Sequence, residues 1–319
     1  MNVMELIENV GVLPVINITD ISTAVPLANA LVKGGIPVVE VTLRSEVSLN
    51  AIKTIVKEVP ECKVLAGTIL TVEQAKSAID AGVSGLVMPG YDEEIVDFAM
   101  KNNMPIVPGC VTAADIQKGV KQGLKVFKFF PAEKSGGIDA IKLLSGPFKG
   151  IKFLPTGGID YSNLGTYLKE KCVIACGGSY MANAKLLASK DFEAITANCK
   201  KAVDISLGFE LAHFGINHNS EDEAVNTAET VSDIFRMNAR YMNSAVFAGT
   251  AVEAVKSQGY GTKGHVGFFT NSMKRAMAYL KAKGIELNED SIKRDASGEI
   301  TCIYLNEEIA GFAFHIVSR

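Results

Sequence analysis

The chain has 319 residues, with 32 Lys plus Arg against 35 Asp plus Glu, 48% hydrophobic positions, 29 Gly and no Trp, a profile that excludes disorder and fits two domains or one large barrel. Residues 1–204 are neutral and residues 205–319 carry the whole net charge of −3, so neither part has the basic excess that a nucleic-acid backbone demands. The longest uncharged stretches, 102–114 and 172–184, are shorter than the roughly 20 apolar residues of a membrane span, so no membrane partner is expected.

Short β-branched runs at 12–18, 38–42, 64–67, 85–88, 106–109, 126–130, 152–155 and 173–176 alternate with longer stretches of helical period, at 24–32, 50–59, 71–81, 93–101 and 113–121. Thr71-Val72-Glu73-Gln74 has the form of a capping box. Alternation of this kind builds a parallel sheet, and eight strands are the number that closes a (β/α)8 TIM barrel, with a doubly wound open sheet as the alternative.

In a barrel the chemistry belongs at the C-terminal strand ends. The sixth run reads Val126-Phe127-Lys128-Phe129-Phe130, so its period of two sets Lys128 against the two phenylalanines beside it and points it inward if they pack outward. An ammonium among apolar side chains is desolvated, which favours the neutral, nucleophilic amine that attacks a ketone to form a Schiff base. The second strand lies diametrically opposite the sixth, so Glu40 faces Lys128 across the interior, as proton shuttling beside a carbonyl requires. The other reading of these residues is a snorkelling lysine with a structural ion-pair partner. Glycine pairs follow the seventh and eighth strands, Gly157-Gly158 and Gly177-Gly178-Ser179, where backbone N–H groups can approach an anion.

Residues 1–204 resemble the bacterial 2-keto-3-deoxy-6-phosphogluconate / 4-hydroxy-2-oxoglutarate aldolases, class I enzymes that work through a Schiff base. The resemblance is carried by Glu40-Val-Thr-Leu-Arg44, Ala66-Gly-Thr68, Phe127-Lys-Phe-Phe-Pro-Ala-Glu133, Pro155-Thr-Gly-Gly-Ile159 and Gly177-Gly-Ser179. It implies that Lys128 forms the imine and Glu40 is the general acid/base. Arg44 and Thr68 would hold the pyruvate carboxylate, and Pro89 and Phe130 would wall the pyruvyl methyl. Gly157, Gly158, Gly177, Gly178 and Ser179 would form the distal anion site. It also implies a homotrimer, a small-molecule 2-oxo acid substrate and no cofactor. Where many relatives carry Arg or Lys near the end of the first strand, this chain reads Asn17-Ile18-Thr19-Asp20, which leaves phosphate against carboxylate at the far end of the substrate open.

Residues 205–319 contain a repeat: His213-Phe-Gly-Ile-Asn-His-Asn-Ser220 matches His265-Val-Gly-Phe-Phe-Thr-Asn-Ser272, 52 residues apart. Each copy reads as a strand whose Asn-Ser end caps a helix, at 221–235 and 273–283, followed by strands at 245–248 and 250–255 in one copy and 300–305 and 311–317 in the other. Two such βαβββ units, an α+β domain, resemble the glyoxalase or vicinal-oxygen-chelate domain. The resemblance puts metal ligands at His213, Glu253, His265 and His315, a set that suits a divalent metal: Zn, Fe, Ni or Mn. A metal-free domain whose histidines satisfy core hydrogen bonds is the other reading, and His218 reads as a solvated strand end.

The first basic residue is Lys33, so the N-terminus lacks the charge pattern of a leader and a cytoplasmic location is expected. The six cysteines form no C-x-x-C pair and read as reduced, mostly buried thiols. The expected activity is reversible cleavage of a 4-hydroxy-2-oxo acid to pyruvate plus glyceraldehyde 3-phosphate or glyoxylate, with a phosphosugar isomerase or epimerase as the alternative for the barrel. For residues 205–319 the alternatives are a metal-dependent isomerase, lyase or dioxygenase and a non-catalytic binding or assembly module.

Overall fold

A computed structural model describes residues 2–319. The chain divides into two compact units, residues 1–206 and 207–319.

Unit 1 alternates strands and helices. It runs α1 (Val3–Val10), β1 (Val12–Ile16), α2 (Ala24–Lys33), β2 (Val38–Thr42), α3 (Ser48–Glu58), β3 (Lys63–Gly67), α4 (Val72–Asp80), β4 (Gly85–Val87), α5 (Glu93–Lys101), β5 (Ile106–Val107), β6 (Gly109–Cys110), α6 (Ala113–Lys121), β7 (Val126–Phe129), α7 (Gly137–Ser145), β8 (Lys152–Pro155), α8 (Leu164–Leu168), β9 (Cys176–Gly178), α9 (Ala184–Ala188) and α10 (Phe192–Leu207). Parallel pairings join β9 to β1 and run from β1 through to β5. They continue from β6 through β7 to β8, and the bridges Phe153–Val173 and Thr156–Gly177 bring the ladder back to β9.

Two strands differ from the sequence expectation. The run 106–109 is broken into β5 and β6 at Pro108, which has no N–H to give to a ladder. The eighth strand lies at Cys176–Gly178, later than 173–176: Val173, Ile174 and Ala175 are buried, which gives them a strand-like composition, but Val173 makes only an isolated bridge.

The helices are placed by local chemistry. Asn2 accepts from Glu5 N–H (2.8 Å) to start α1, and Gly11, at φ 79°, ends it by donating to Ile7 C=O (2.8 Å). Thr112 and Asp115 close a reciprocal capping box on α6. At α4 the Thr71 hydroxyl accepts from Gln74 N–H as expected, whereas the Gln74 side chain accepts from Leu70 N–H, one residue before the cap. Phe127, Phe129 and Phe153 are fully buried, each stabilising the unit by roughly 2–3 kcal/mol. The place of Phe127 is made by Gly119 of α6, where a Cβ would lie 2.4 Å from the ring.

Unit 2 comprises β10 (Glu210–Asn217), α11 (Glu221–Phe235), β11 (Ala239–Tyr241), β12 (Ala245–Ala248), β13 (Val252–Val255), β14 (Gly264–Thr270), α12 (Met273–Ala282), β15 (Leu287–Arg294), β16 (Ile300–Ile309) and β17 (Phe312–Ser318). They form one mixed sheet in the order β11-β12-β13-β10-β14-β17-β16-β15. The central pair β10–β14 is antiparallel, and each member has a parallel neighbour, β13 and β17. The two repeat copies therefore occupy equivalent halves of the sheet. The Ser220 and Ser272 hydroxyls accept from Glu223 N–H and Arg275 N–H and cap α11 and α12. Ala224 and Ala228 of α11 pack on Val246 and Ala254, which leaves the other sheet face to the histidines.

Candidate active site

In unit 1 the site begins at a buried ion pair. Glu40 is fully buried in β2 and Lys128 is 5% exposed in β7; the ammonium lies 2.9 and 3.2 Å from the two carboxylate oxygens. Alternation along β7 places Phe127 and Phe129 on the helix side and Lys128 inside, and it places Glu40 opposite. Room for the carboxylate comes from β3: a Cβ on Gly67 would lie 2.2 Å from Glu40 Oε1. The next residue, Thr68, holds φ at 61°, a left-handed conformation that costs a β-branched residue roughly 1–3 kcal/mol.

Of the other sequence-predicted residues, Phe130 and Pro89 lie beside this pair, Phe130 by contact and Pro89 by register. Lys128 Nζ lies 5.6 Å from the Phe130 ring centroid, and Phe130 precedes a cis bond to Pro131. Gly109 pairs with Lys128 in the ladder, and a Cβ on it would strike Pro89 C=O at 2.1 Å, which places Pro89 one strand from the lysine. Gly157 packs on Phe130 and Pro131, and a Cβ on Gly177 would lie 2.3 Å from Thr156 Oγ1. Gly158, at φ 84°, lies over Glu133, whose carboxylate accepts from the Tyr167 hydroxyl. Arg44 is held by its Nε donating to Thr42 Oγ1 (3.1 Å). Arg44 and Ser179 share the lining of a cavity of about 300 Å³ with Asn17, Thr19 and Asp20. Asp20 is paired with Lys190 (3.2 Å), and hydrogen bonds from Ser22, together with Lys190, hold its carboxyl below the usual range.

Residues 3–198 match the family described as KDPG and KHG aldolase. The chain belongs to that family. This aldolase is 42% identical over 193 residues to the KHG/KDPG aldolase of Escherichia coli, covering 60% of this chain and 91% of that one. It is 40% identical over 203 residues to the 2-dehydro-3-deoxy-phosphogluconate aldolase of Treponema pallidum, covering 64% and 97%. Among solved structures, the Legionella pneumophila KDPG aldolase with pyruvate captured as a covalent carbinolamine superposes with a TM-score of 0.61 at 35% identity, covering 62% and 96% of the two chains. The Zymomonas mobilis 2-keto-3-deoxy-6-phosphogluconate aldolase with 3-phosphoglycerate does so with a TM-score of 0.60 at 40% identity, covering 63% and 94%. As a member of this family the aldolase is a lyase of the class I type.

Unit 2 of the aldolase gathers a second cluster. His213 Nε2 lies 3.2 Å from both His265 Nε2 and His315 Nε2, and Glu253 Oε2 lies 3.1 Å from His265 Nε2 and 3.3 Å from His213 Nε2. The register explains the convergence. Glu253, Gly215 and His265 stand side by side on β13, β10 and β14, and His213, Gly267 and His315 on β10, β14 and β17. Each row puts a glycine between two donors. A Cβ on Gly215 would lie 2.0 Å from the His265 ring, and one on Gly267 would lie 2.7 Å from both His213 Cε1 and His315 Nε2.

Donors about 2.0–2.2 Å from one shared ion stand roughly 3.0–3.5 Å apart; among the described residues the three imidazoles, with ligand nitrogens all within 4.8 Å of one another, are a set that could hold an ion, and Glu253 reaches two of them. Burial lowers the pKa of His213, and it lowers that of His315 to about 3, helped by the neighbouring imidazoles, which leaves nitrogen lone pairs available. Burial pushes the Glu253 carboxyl up, but the His265 hydrogen bond and the charges of His265, His213 and Lys293 outweigh it and hold the group below the usual range.

Two features here were not read from the sequence. Cys302 Sγ lies 3.3 Å from His315 Nδ1, and Tyr304 stacks on His315 at 4.5 Å. His218 differs from expectation: its ring nitrogens contact Val255 C=O (3.2 Å) and Thr227 Oγ1 (2.9 Å), so it ties the end of β10 to α11 instead of standing in solvent.

Proposed function

We propose that unit 1, a (β/α)8 barrel, reversibly cleaves a 4-hydroxy-2-oxo acid to pyruvate and an aldehyde, glyceraldehyde 3-phosphate or glyoxylate. The observation that carries this reading is the Lys128–Glu40 pair, an amine and a carboxylate 2.9 Å apart and both buried. The Lys128 ammonium must lose a proton to become a nucleophile, and Glu40 is within reach to take it. The amine attacks the keto carbon, and the proton held by Glu40 passes to the carbinolamine hydroxyl so that water leaves, giving a protonated imine that serves as electron sink and restoring the Glu40 carboxylate; the step needs no metal. Glu40, through a water, takes the C4 hydroxyl proton as the C3–C4 bond breaks and the aldehyde departs. It then returns a proton to the enamine carbon, and hydrolysis frees pyruvate and Lys128.

Arg44 and Thr68 hold the substrate carboxylate in this reading, Pro89 and Phe130 wall the methyl, and Gly157, Gly158, Gly177, Gly178 and Ser179 receive the far anion. The boundary near residue 204, the homotrimer and the cytoplasmic setting belong to the same reading. Pyruvate release from the phosphorylated and the carboxylated 2-oxo acid, compared as kcat/KM, tests it. Turnover of either is expected, and release of pyruvate from neither supports the isomerase alternative.

A second reading concerns unit 2, where we propose a glyoxalase-like domain whose His213, Glu253, His265 and His315 hold a divalent Zn, Fe, Ni or Mn. The convergence of three imidazoles, with ligand nitrogens within 4.8 Å of one another and Glu253 beside two of them, supports it over core hydrogen bonding. A bound cation would polarise an oxygen of whatever ligand reaches it. Elemental analysis of chelator-free protein tests it: stoichiometric metal that is lost in His265→Ala is expected. A metal-free native protein favours the binding or assembly module.

A further inference from the structure

The turn after β8 is held by its carbonyls. Gly157 C=O accepts from Glu133 N–H (3.1 Å) and Gly158 C=O accepts from Asn163 Nδ2 (2.9 Å). Among the described residues, the N–H of neither glycine meets an acceptor within the chain. With φ at 97° and 84°, conformations open to glycine, the two residues present consecutive N–H groups of the kind that cradle an anion. Glu133 supports this turn from below. A Cβ on Gly158 would lie 2.5 Å from Glu133 Cγ and 2.6 Å from Glu133 Cβ, so the glycine rests on the stem of that side chain. The end of the stem is tied to α8: the Glu133 carboxylate accepts from the hydroxyl of Tyr167, which is 1% exposed. Gly137 leaves room for the tie, since a Cβ there would lie 3.2 Å from that hydroxyl. The tie also governs charge, because a carboxylate released from Tyr167 and free to swing beside the turn would repel an anion bound there.

We propose that Tyr167 and Glu133 are positioning residues for the far anion of the substrate: the Tyr167 hydroxyl fixes the Glu133 stem, and the stem sets the Gly157 and Gly158 N–H groups. The inference rests on the aldolase reading of unit 1, and one experiment separates the failure of each. Pyruvate release by the full-length protein is followed from two kinds of substrate. One is the phosphorylated or carboxylated 4-hydroxy-2-oxo acid, whichever the parent takes; the other is 4-hydroxy-2-oxopentanoate, whose far end is a methyl group. Tyr167→Phe and Glu133→Ala, which break the contact from opposite ends, should each raise KM for the anionic substrate about tenfold with kcat within about twofold of the parent. For 4-hydroxy-2-oxopentanoate, kcat/KM should stay within about twofold. Glu133→Gln keeps an acceptor for Tyr167 and should retain the parent's preference for the anionic substrate. If one variant fails to fold, the other still carries the test. Equal losses on both substrates, an unchanged KM, or a Glu133→Gln enzyme as impaired as Glu133→Ala overturns the proposal with the aldolase reading intact. So does a parent that takes only 4-hydroxy-2-oxopentanoate. Release of pyruvate from neither substrate by the parent overturns the aldolase reading, and the positioning role falls with it.

Discussion

Glu40 can lie beside Lys128 because Gly67 has no side chain, and that dependence gives two predictions. Glu40→Gln keeps the shape and removes the proton acceptor, so kcat should fall by roughly 10²–10⁴-fold while the fold is retained, as read by circular dichroism. Gly67→Ala brings a methyl within 2.2 Å of the carboxylate; the carboxylate must move, costing roughly 1–3 kcal/mol of stability and lowering kcat more than it raises KM. A Gly67→Ala enzyme with full kcat would mean that the position of Glu40 is not critical. Lys128 and Glu40 were legible in the sequence because alternation along a strand decides which side chains point inward. Gly67 was not, because the need for it depends on where a side chain of the neighbouring strand settles.

At the scale of the element, the repeated His-x-Gly of β10 and β14 does for unit 2 what Gly67 does for unit 1. Gly215→Ala and Gly267→Ala each place a methyl inside an imidazole contact. Each should abolish stoichiometric metal uptake, measured by elemental analysis, while β10 and β14 stay paired. Retained uptake in both would show that the cluster is not a ligand set. The repeat itself was readable, but two strands were missed. Ala239–Tyr241 is three residues long, and Leu287–Arg294 reads LNEDSIKR with only Ser291 buried, so neither edge strand has an apolar face to announce it. In unit 1 the opposite error arises at 173–176, where burial without regular pairing looks like a strand.

Across the whole molecule, the buried thiols set an alkaline limit. Burial raises the pKa of Cys62, Cys110 and Cys199 from about 9 to about 12, with Glu61 adding to it at Cys62 and Asp115 at Cys110. Burial likewise raises Tyr161 from 10.0 to about 12. Between those values the unfolded chain has released protons that the folded chain keeps, so stability is full below about pH 9 and declines as pH rises toward 12. The denaturant midpoint should fall over that range. The fall should be shallower when the three cysteines are replaced by alanine, and an unchanged slope would show that the thiols are not the titrating groups.

The charge split read at the outset takes its meaning here. In the proposed reaction a neutral aldolase unit would draw its anionic substrate through local groups, Arg44, Lys128 and the glycine-lined strand ends, with no net field to help. Imine formation at Lys128 is therefore the step on which the proposed chemistry of unit 1 depends. It is measured by borohydride reduction in the presence of pyruvate, followed by mass mapping of the peptides. One reduced pyruvate adduct is expected, on Lys128, and it is absent when borohydride or pyruvate is omitted. No adduct, or an adduct on a different lysine, would contradict it.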